Sequence, residues 1–131
     1  MIMLDTHVLL WLAKDPTKLS KSAISTLRKA SKSEGLSIAS ITLWEIALLI
    51  TRGRIRVQGT VDGFLQQLVE ATGVRVREIT PEVAALAMQF PDDFPADPGD
   101  RLIAATARAN GATLVTADQR IQQSPLVATV W

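Results

Sequence analysis

Glycine punctuates this chain at regular intervals, and the punctuation constrains its fold more than any other feature. Gly35, Gly53, Gly73 and Gly111 each close a segment of helical spacing. Glycine is the residue that most easily ends a helix and turns the backbone toward the next strand. The short apolar runs at residues 1–4, 36–38, 74–79 and 112–116 read as strands, and 126–130 as a fifth. Between them lie helical segments. Residues 20–33 carry Ala23, Ile24, Leu27 and Ala30 on one face, and residues 8–13 make a shorter helix. A very apolar helix opens at Ser40 or Thr42 and runs to Gly53. Helices are also expected at 61–72, at 101–109, and after Thr80, where Thr80 is the N-cap and Pro81 the first helical residue. The helix after Thr80 carries Val83, Leu86, Ala87 and Phe90. Strands alternating with helices specify an α/β domain with a mostly parallel sheet.

The length, 131 residues, fits one domain spanning 1–131. At 47% hydrophobic and 21% charged residues the chain can fill a core, which excludes a disordered tail. It has no cysteine, so disulfides, thiol nucleophiles and cysteine-based zinc sites are excluded. The single histidine, His7, excludes multi-histidine metal sites. No apolar run approaches the ~18–20 residues of a membrane span. The apolar N-terminus carries Asp5 and lacks a basic leader, so it does not read as a signal peptide, and a cytoplasmic protein is expected.

Five acids stand in places where acids need a reason. Asp5 follows the first strand, and Asp118 follows the fourth. Glu45 lies inside an apolar helix beside Trp44 and Ile46. Asp97 and Asp100 bracket Pro98-Gly99 at the end of the Pro- and Asp-rich loop 91–99. Each has a local explanation. Asp5 can cap the first helix. Asp97, Pro98 and Asp100 suit N-cap, N1 and N3, and Asp118 can cap a short turn at 119–122. Glu45 can close a capping box with Thr42.

Jointly the five say more. In a parallel sheet the strand C-termini share one edge, and ligands bind in the crevice outside it. Four separate segments then deliver carboxylates to one rim. Clustered carboxylates stay ionised only if a cation neutralises them. With oxygen ligands alone that cation is hard, Mg²⁺ or Mn²⁺. Such an ion lowers the pKa of a bound water and stabilises charge on phosphate oxygens, so the rim suits phosphoryl chemistry.

Four segments carry a resemblance: Met3-Leu-Asp5-Thr-His7, Ser40-Ile-Thr42-Leu-Trp44-Glu45-Ile, Asp97-Pro-Gly-Asp100-Arg101-Leu-Ile-Ala-Ala-Thr-Ala, and Leu114-Val-Thr116-Ala-Asp118. In this order and spacing the chain resembles the PIN-domain family, specifically the VapC-type toxins of bacterial toxin–antitoxin pairs, over essentially its whole length. The resemblance implies a three-layer α/β/α sandwich and a Mg²⁺- or Mn²⁺-dependent endoribonuclease acting on RNA. It implies a VapB-like antitoxin that blocks the site, and a homodimer. It makes Asp5, Glu45 and Asp100 the central acids and Asp118 the fourth, with Asp97 belonging to the Asp-Pro-x-Asp-Arg form of the third motif. Thr6, Ser40 and Thr116 look like supporting hydroxyls. Where that subgroup often has an aromatic residue after Pro98, this chain has Gly99, which is expected to alter the loop more than the chemistry.

A water activated by metal needs no histidine, so His7 is not assigned as the base. Arg101 either clamps a phosphate or holds a neighbouring carboxylate. Lys14, Lys18, Lys21, Arg28, Lys29 and Lys32 read as a solvated face, and the closer set Arg52, Arg54 and Arg56 as the better site for RNA backbone contact. Trp11, Trp44 and Trp131 read as core or interface residues. The apolar excess of residues 8–12 and 41–50 calls for burial against an antitoxin or a second copy. A non-catalytic module whose acidic rim docks a basic partner is the alternative function. The net charge, +1 from 14 bases and 13 acids, first speaks against nucleic acid. Setting aside the five rim acids leaves 14 bases against 8 acids, a balance of +6 that suits an RNA backbone.

Overall fold

Apolar runs of three or four residues cannot enclose a core alone, so they pair side by side. In the computed structural model, which describes residues 1–131, the strands are β1 (Ile2–Leu4), β2 (Leu36–Ala39), β3 (Arg75–Arg77), β4 (Thr113–Val115) and β5 (Thr129–Val130). They form one sheet in the order β3-β2-β1-β4-β5, with every pairing parallel. The helices are α1 (Thr6–Lys14), α2 (Lys21–Ser31), α3 (Ser40–Thr51), α4 (Val61–Thr72), α5 (Pro81–Ala87), α6 (Pro98–Ala109) and α7 (Gln119–Gln122).

Alternate side chains of each strand point to opposite faces, and each face carries its own core. Met3, Ala39 and Leu114 pack with Val83 and Ala87 of α5, Ile103 and Ala107 of α6, and Ile121 of α7. Leu4, Ile38 and Val115 pack on the other face with Val8 and Leu9 of α1, Leu27 of α2, Ile46 of α3 and Leu68 of α4. The result is a three-layer α/β/α sandwich, as the resemblance implies.

Several expected boundaries hold because their signals are local. Thr60 and Thr80 cap α4 and α5 through their hydroxyls, which accept from Gly63 N and Val83 N. Gly73 closes α4 with φ +67°, a left-handed conformation in which a Cβ is strained. Others shift. β3 stops at Arg77 rather than residue 79, since Glu78 and Ile79 lead into the Thr80 cap. β5 keeps only the two residues that find partners, Leu114↔Thr129 and Val115↔Val130. Phe90 falls beyond the end of α5, and α6 begins at Pro98 rather than 101 because Asp97 caps it. No helix is long and apolar enough to cross a membrane.

Leu114 on β4 is fully buried between strands and helices. Leu114→Ala is expected to cost about 2–5 kcal/mol, read as a lower urea midpoint at unchanged slope.

Candidate active site

The strand order fixes where a site can form. From β1 the chain runs outward through β2 to β3, then crosses back to β4 and β5 on the other side. The crevice between the diverging connections opens above the C-terminal ends of β1 and β4. Asp5 directly follows β1, and Asp118 lies three residues beyond β4. α3 contributes Glu45, and the start of α6 contributes Asp97 and Asp100. All five carboxylates line one cleft of about 770 Å³.

Asp5 is held by three bonds across the switch point. Its backbone N donates to Val115 O (3.0 Å). Its Oδ1 accepts from Thr6 N (2.8 Å) and its Oδ2 from Thr116 Oγ1 (2.7 Å). The capping reading of Asp5 is therefore correct as local structure, and the same carboxylate also faces the cleft. Thr116 Oγ1 in turn accepts from Asp118 N (3.1 Å). Asp118 caps α7, with Oδ1 accepting from Arg120 N and Ile121 N.

Glu45 does not close a capping box. The N-cap of α3 is Ala39, whose side chain makes no cap bond, and Thr42 lies within the helix, fully buried. Glu45 Oε1 accepts instead from Thr6 Oγ1 (2.6 Å), and Thr6 Oγ1 also meets Thr42 Oγ1 at 3.1 Å. The hydroxyl that α3 brings to this network is Thr42 rather than the expected Ser40, which sits at the first position of the helix and outside the cleft lining. Sequence reasoning read Thr42 as a cap because the Thr-x-x-Glu spacing matches one.

Gly99 has a stronger role than loop shape. It is buried against Glu45, and a Cβ built on it would lie 2.3 Å from Glu45 Oε2. Any side chain here has to displace the glutamate, so the glycine permits this approach of α3 to α6. Asp97 Oδ1 accepts from Gly99 N (2.9 Å) and caps α6 as expected.

Arg101 corrects its expectation. Its guanidinium bonds to no cleft carboxylate. It donates to four backbone carbonyls: Nε to Pro95 (3.0 Å), Nη1 to Phe90 (2.9 Å), and Nη2 to Pro91 (3.2 Å) and Phe94 (3.4 Å). Stacked Phe90 and Phe94 rings, 4.3 Å apart, complete the fold of this loop. Arg101 is thus a staple for the segment that carries Asp97. The basic trio also divides. Arg52 lines the cleft, Arg54 lines an adjoining groove, and Arg56 lines neither. Trp11 and Trp131 pack together, with centroids 5.9 Å apart, whereas Trp44 is 59% exposed on the cleft wall.

The acids repel one another. Burial pushes Asp100 up to about 7, and Asp5, Asp97, Asp118 and Glu45 add to the rise. No hydrogen bond offsets it. Burial also raises Asp5, against the opposing Thr116 and Thr6 bonds, and it raises Glu45, against the Thr6 bond. The only ion pair of the molecule joins the N-terminus to Glu34, so none of the cleft carboxylates is paired with a cation. The five acids line the cleft without three of them closing into a ready-made metal cage. An all-oxygen, multiply anionic donor set backed by threonines fits a hard divalent cation such as Mg²⁺ or Mn²⁺.

Residues 2–125 match the family model described as PIN domain. The chain is 42% identical to Ribonuclease VapC22 of Mycobacterium tuberculosis (strain ATCC 25618 / H37Rv), over 99% of this chain and 98% of that protein. It superposes on a chain of VapBC2 from Rickettsia felis bound to a promoter DNA fragment, with TM-score 0.73 and 19% identity over 99% of this chain and 98% of the other. It superposes on FitAcB from Neisseria gonorrhoeae with TM-score 0.69 and 22% identity, over 100% of this chain and 97% of the other.

Two expectations test the site. A folded-state pKa raised above the unfolded value means that the folded chain binds the Asp100 proton more tightly. That contribution is present below about pH 4 and is lost as pH rises toward 7. Asp100→Asn, which mimics the protonated group, should raise the metal-free Tm relative to wild type at pH 8, with the gap closing by pH 4. Arg101→Lys replaces a planar fork by a point charge and leaves carbonyls unmet, for a loss of roughly 2 kcal/mol in urea unfolding.

Proposed function

We propose that this chain, which belongs to the PIN-domain family, is a metal-dependent endoribonuclease toxin controlled by a VapB-like antitoxin. The observation that carries this reading is the cleft at the switch point, where five carboxylates converge, none of them in an ion pair, and Asp100 is pushed up to about 7. Identity to a curated ribonuclease over nearly the whole chain supports RNA as the substrate.

Asp5, Glu45, Asp100 and Asp118 are the catalytic acids and, with Asp97, would hold Mg²⁺ or Mn²⁺. When bound, that ion supplies an activated water and stabilises charge on the scissile phosphate. The protein's own part is orientation. Thr116 and the Thr6 amide hold both oxygens of Asp5. The Thr6 hydroxyl turns Glu45 toward the same centre, and Thr42 braces Thr6. Asp118 and Asp97 each keep one oxygen on backbone amides and leave the other for the cleft. Arg101 acts at a distance by holding the loop ahead of Asp97. Arg52 is the one cation on the cleft wall and is assigned to substrate phosphate.

α3 is strongly apolar beside Glu45, and its residues Ile41, Trp44, Leu48 and Leu49 form one wall of the cleft. A wall of that kind over the acids suits an antitoxin segment that covers the site, and VapBC assemblies are among the structures that share this fold. Family membership likewise supports a homodimer.

Asp5→Asn should lower Mn²⁺-dependent RNA cleavage at least about 10²-fold with an unchanged circular dichroism spectrum. Calorimetric titration of Mn²⁺ should show binding that Glu45→Gln removes. Cleavage that persists in purified Asp5→Asn would sink the assignment, and wild-type protein that binds no Mn²⁺ would favour a docking module.

A further inference from the structure

The acidic cleft has a neighbour of opposite sign. A groove of about 390 Å³ runs between α1 and the turn after α3, and its rim carries Lys14, Lys18 and Arg54. The two hollows share a wall made of His7, Trp11 and Leu49. All three cations are exposed, and none is in an ion pair. Asp15, the one acid lining the groove, accepts from the Thr17 hydroxyl. Lys14 is partly committed, since its Nζ donates to Arg56 O (3.2 Å) and lies 5.3 Å from the centre of the Phe64 ring. Lys18 and Arg54 have no such partner.

Resting on the ribonuclease reading, we propose that this groove is a second substrate subsite, which holds RNA backbone phosphates on one flank of the cleft. Three physical arguments converge. First, a cleft of five carboxylates repels phosphate, so a polyanion needs anchoring nearby that does not depend on those acids. Second, unpaired like charges in one groove cost stability unless an anion meets them. Third, the reach is right. Seven residues of α1 separate His7 on the shared wall from Lys14, about 10 Å at the helical rise, so a strand leaving the cleft meets the groove beyond its first nucleotide. The basic face of α2 differs. Lys21, Arg28, Lys29 and Lys32 line a separate hollow that has no residue in common with the cleft.

The test compares Lys18→Gln/Arg54→Gln with Lys29→Gln/Lys32→Gln, which removes equal charge elsewhere. Lys14 is left intact because of its structural contacts. Binding of a fluorescent 20-nucleotide single-stranded RNA is measured in metal-free buffer across a salt series. The groove variant should lose about ten-fold in affinity at 0.1 M salt. Its log–log salt slope should fall by about 1.4, at ~0.7 per lost single-strand phosphate contact. The α2 variant should stay within two-fold of wild type. With Mn²⁺ present, the groove variant should lose kcat/KM on the 20-mer but not on a dinucleotide too short to reach the groove. A groove variant whose affinity and slope match the α2 variant overturns the subsite, as would follow if the groove met an acidic protein segment instead. Wild-type protein that neither binds nor cleaves RNA overturns the ribonuclease reading itself, and that result is distinct from the first.

Discussion

Asp5 is a carboxylate placed where two strands diverge, and the site is built around the need to tolerate it. A buried anion requires donors or a counter-charge. Here the donors come from the elements that define the switch point: the Thr6 amide at the start of α1 and the Thr116 hydroxyl just past β4. The Asp5 amide closes the same joint by bonding Val115 O. The register of β1 on β4, with Leu4 opposite Val115, brings these groups within reach. A shift of that register would part the donors from the acid. The sheet and the chemistry therefore depend on one contact.

That dependence extends outward through threonine. Thr6 gives its amide to Asp5 and its hydroxyl to Glu45, and it touches Thr42 from a third direction. One residue thus sets the spacing between acids from two different elements. The approach of α3 to α6 is then limited by Gly99, whose missing side chain leaves room for the Glu45 carboxylate. Donors and open space together hold the carboxylates near one another, while burial first and their mutual repulsion second raise Asp5, Glu45 and Asp100.

What was legible in the sequence follows from the range of each signal. The Thr80-Pro81 start, the Asp97 cap and the Gly73 stop depend on neighbours within four residues, and they stand as expected. The gathering of acids at one edge was legible because a parallel sheet has only one C-terminal edge. The local alternative for Glu45, a capping box, fails because a partner three residues away competes on paper with Thr6, which lies 39 residues away in the chain. Arg101 was misread for a different reason. Its partners are carbonyls of residues 90, 91, 94 and 95, and backbone carbonyls carry no mark in a sequence. The lengths of β3 and β5 were overestimated because an edge strand extends only as far as its partner does.

Net charge is the weakest descriptor of this molecule, because its charges are sorted by element. Five of the 13 acids collect in the cleft at the strand ends, while nine of the 14 cations lie between Lys14 and Lys32 or in the turn after α3. Almost none of them pair, and the one ion pair uses the chain terminus rather than a basic side chain. Sorting of this kind costs stability, since interspersed charges would attract where these repel. On the proposed reading the cost has a use. The acids reject phosphate until a divalent cation neutralises them, and the adjoining groove holds phosphate without one. Affinity for the RNA backbone and competence to cut it would then reside in neighbouring hollows, joined only by the shared wall of His7, Trp11 and Leu49.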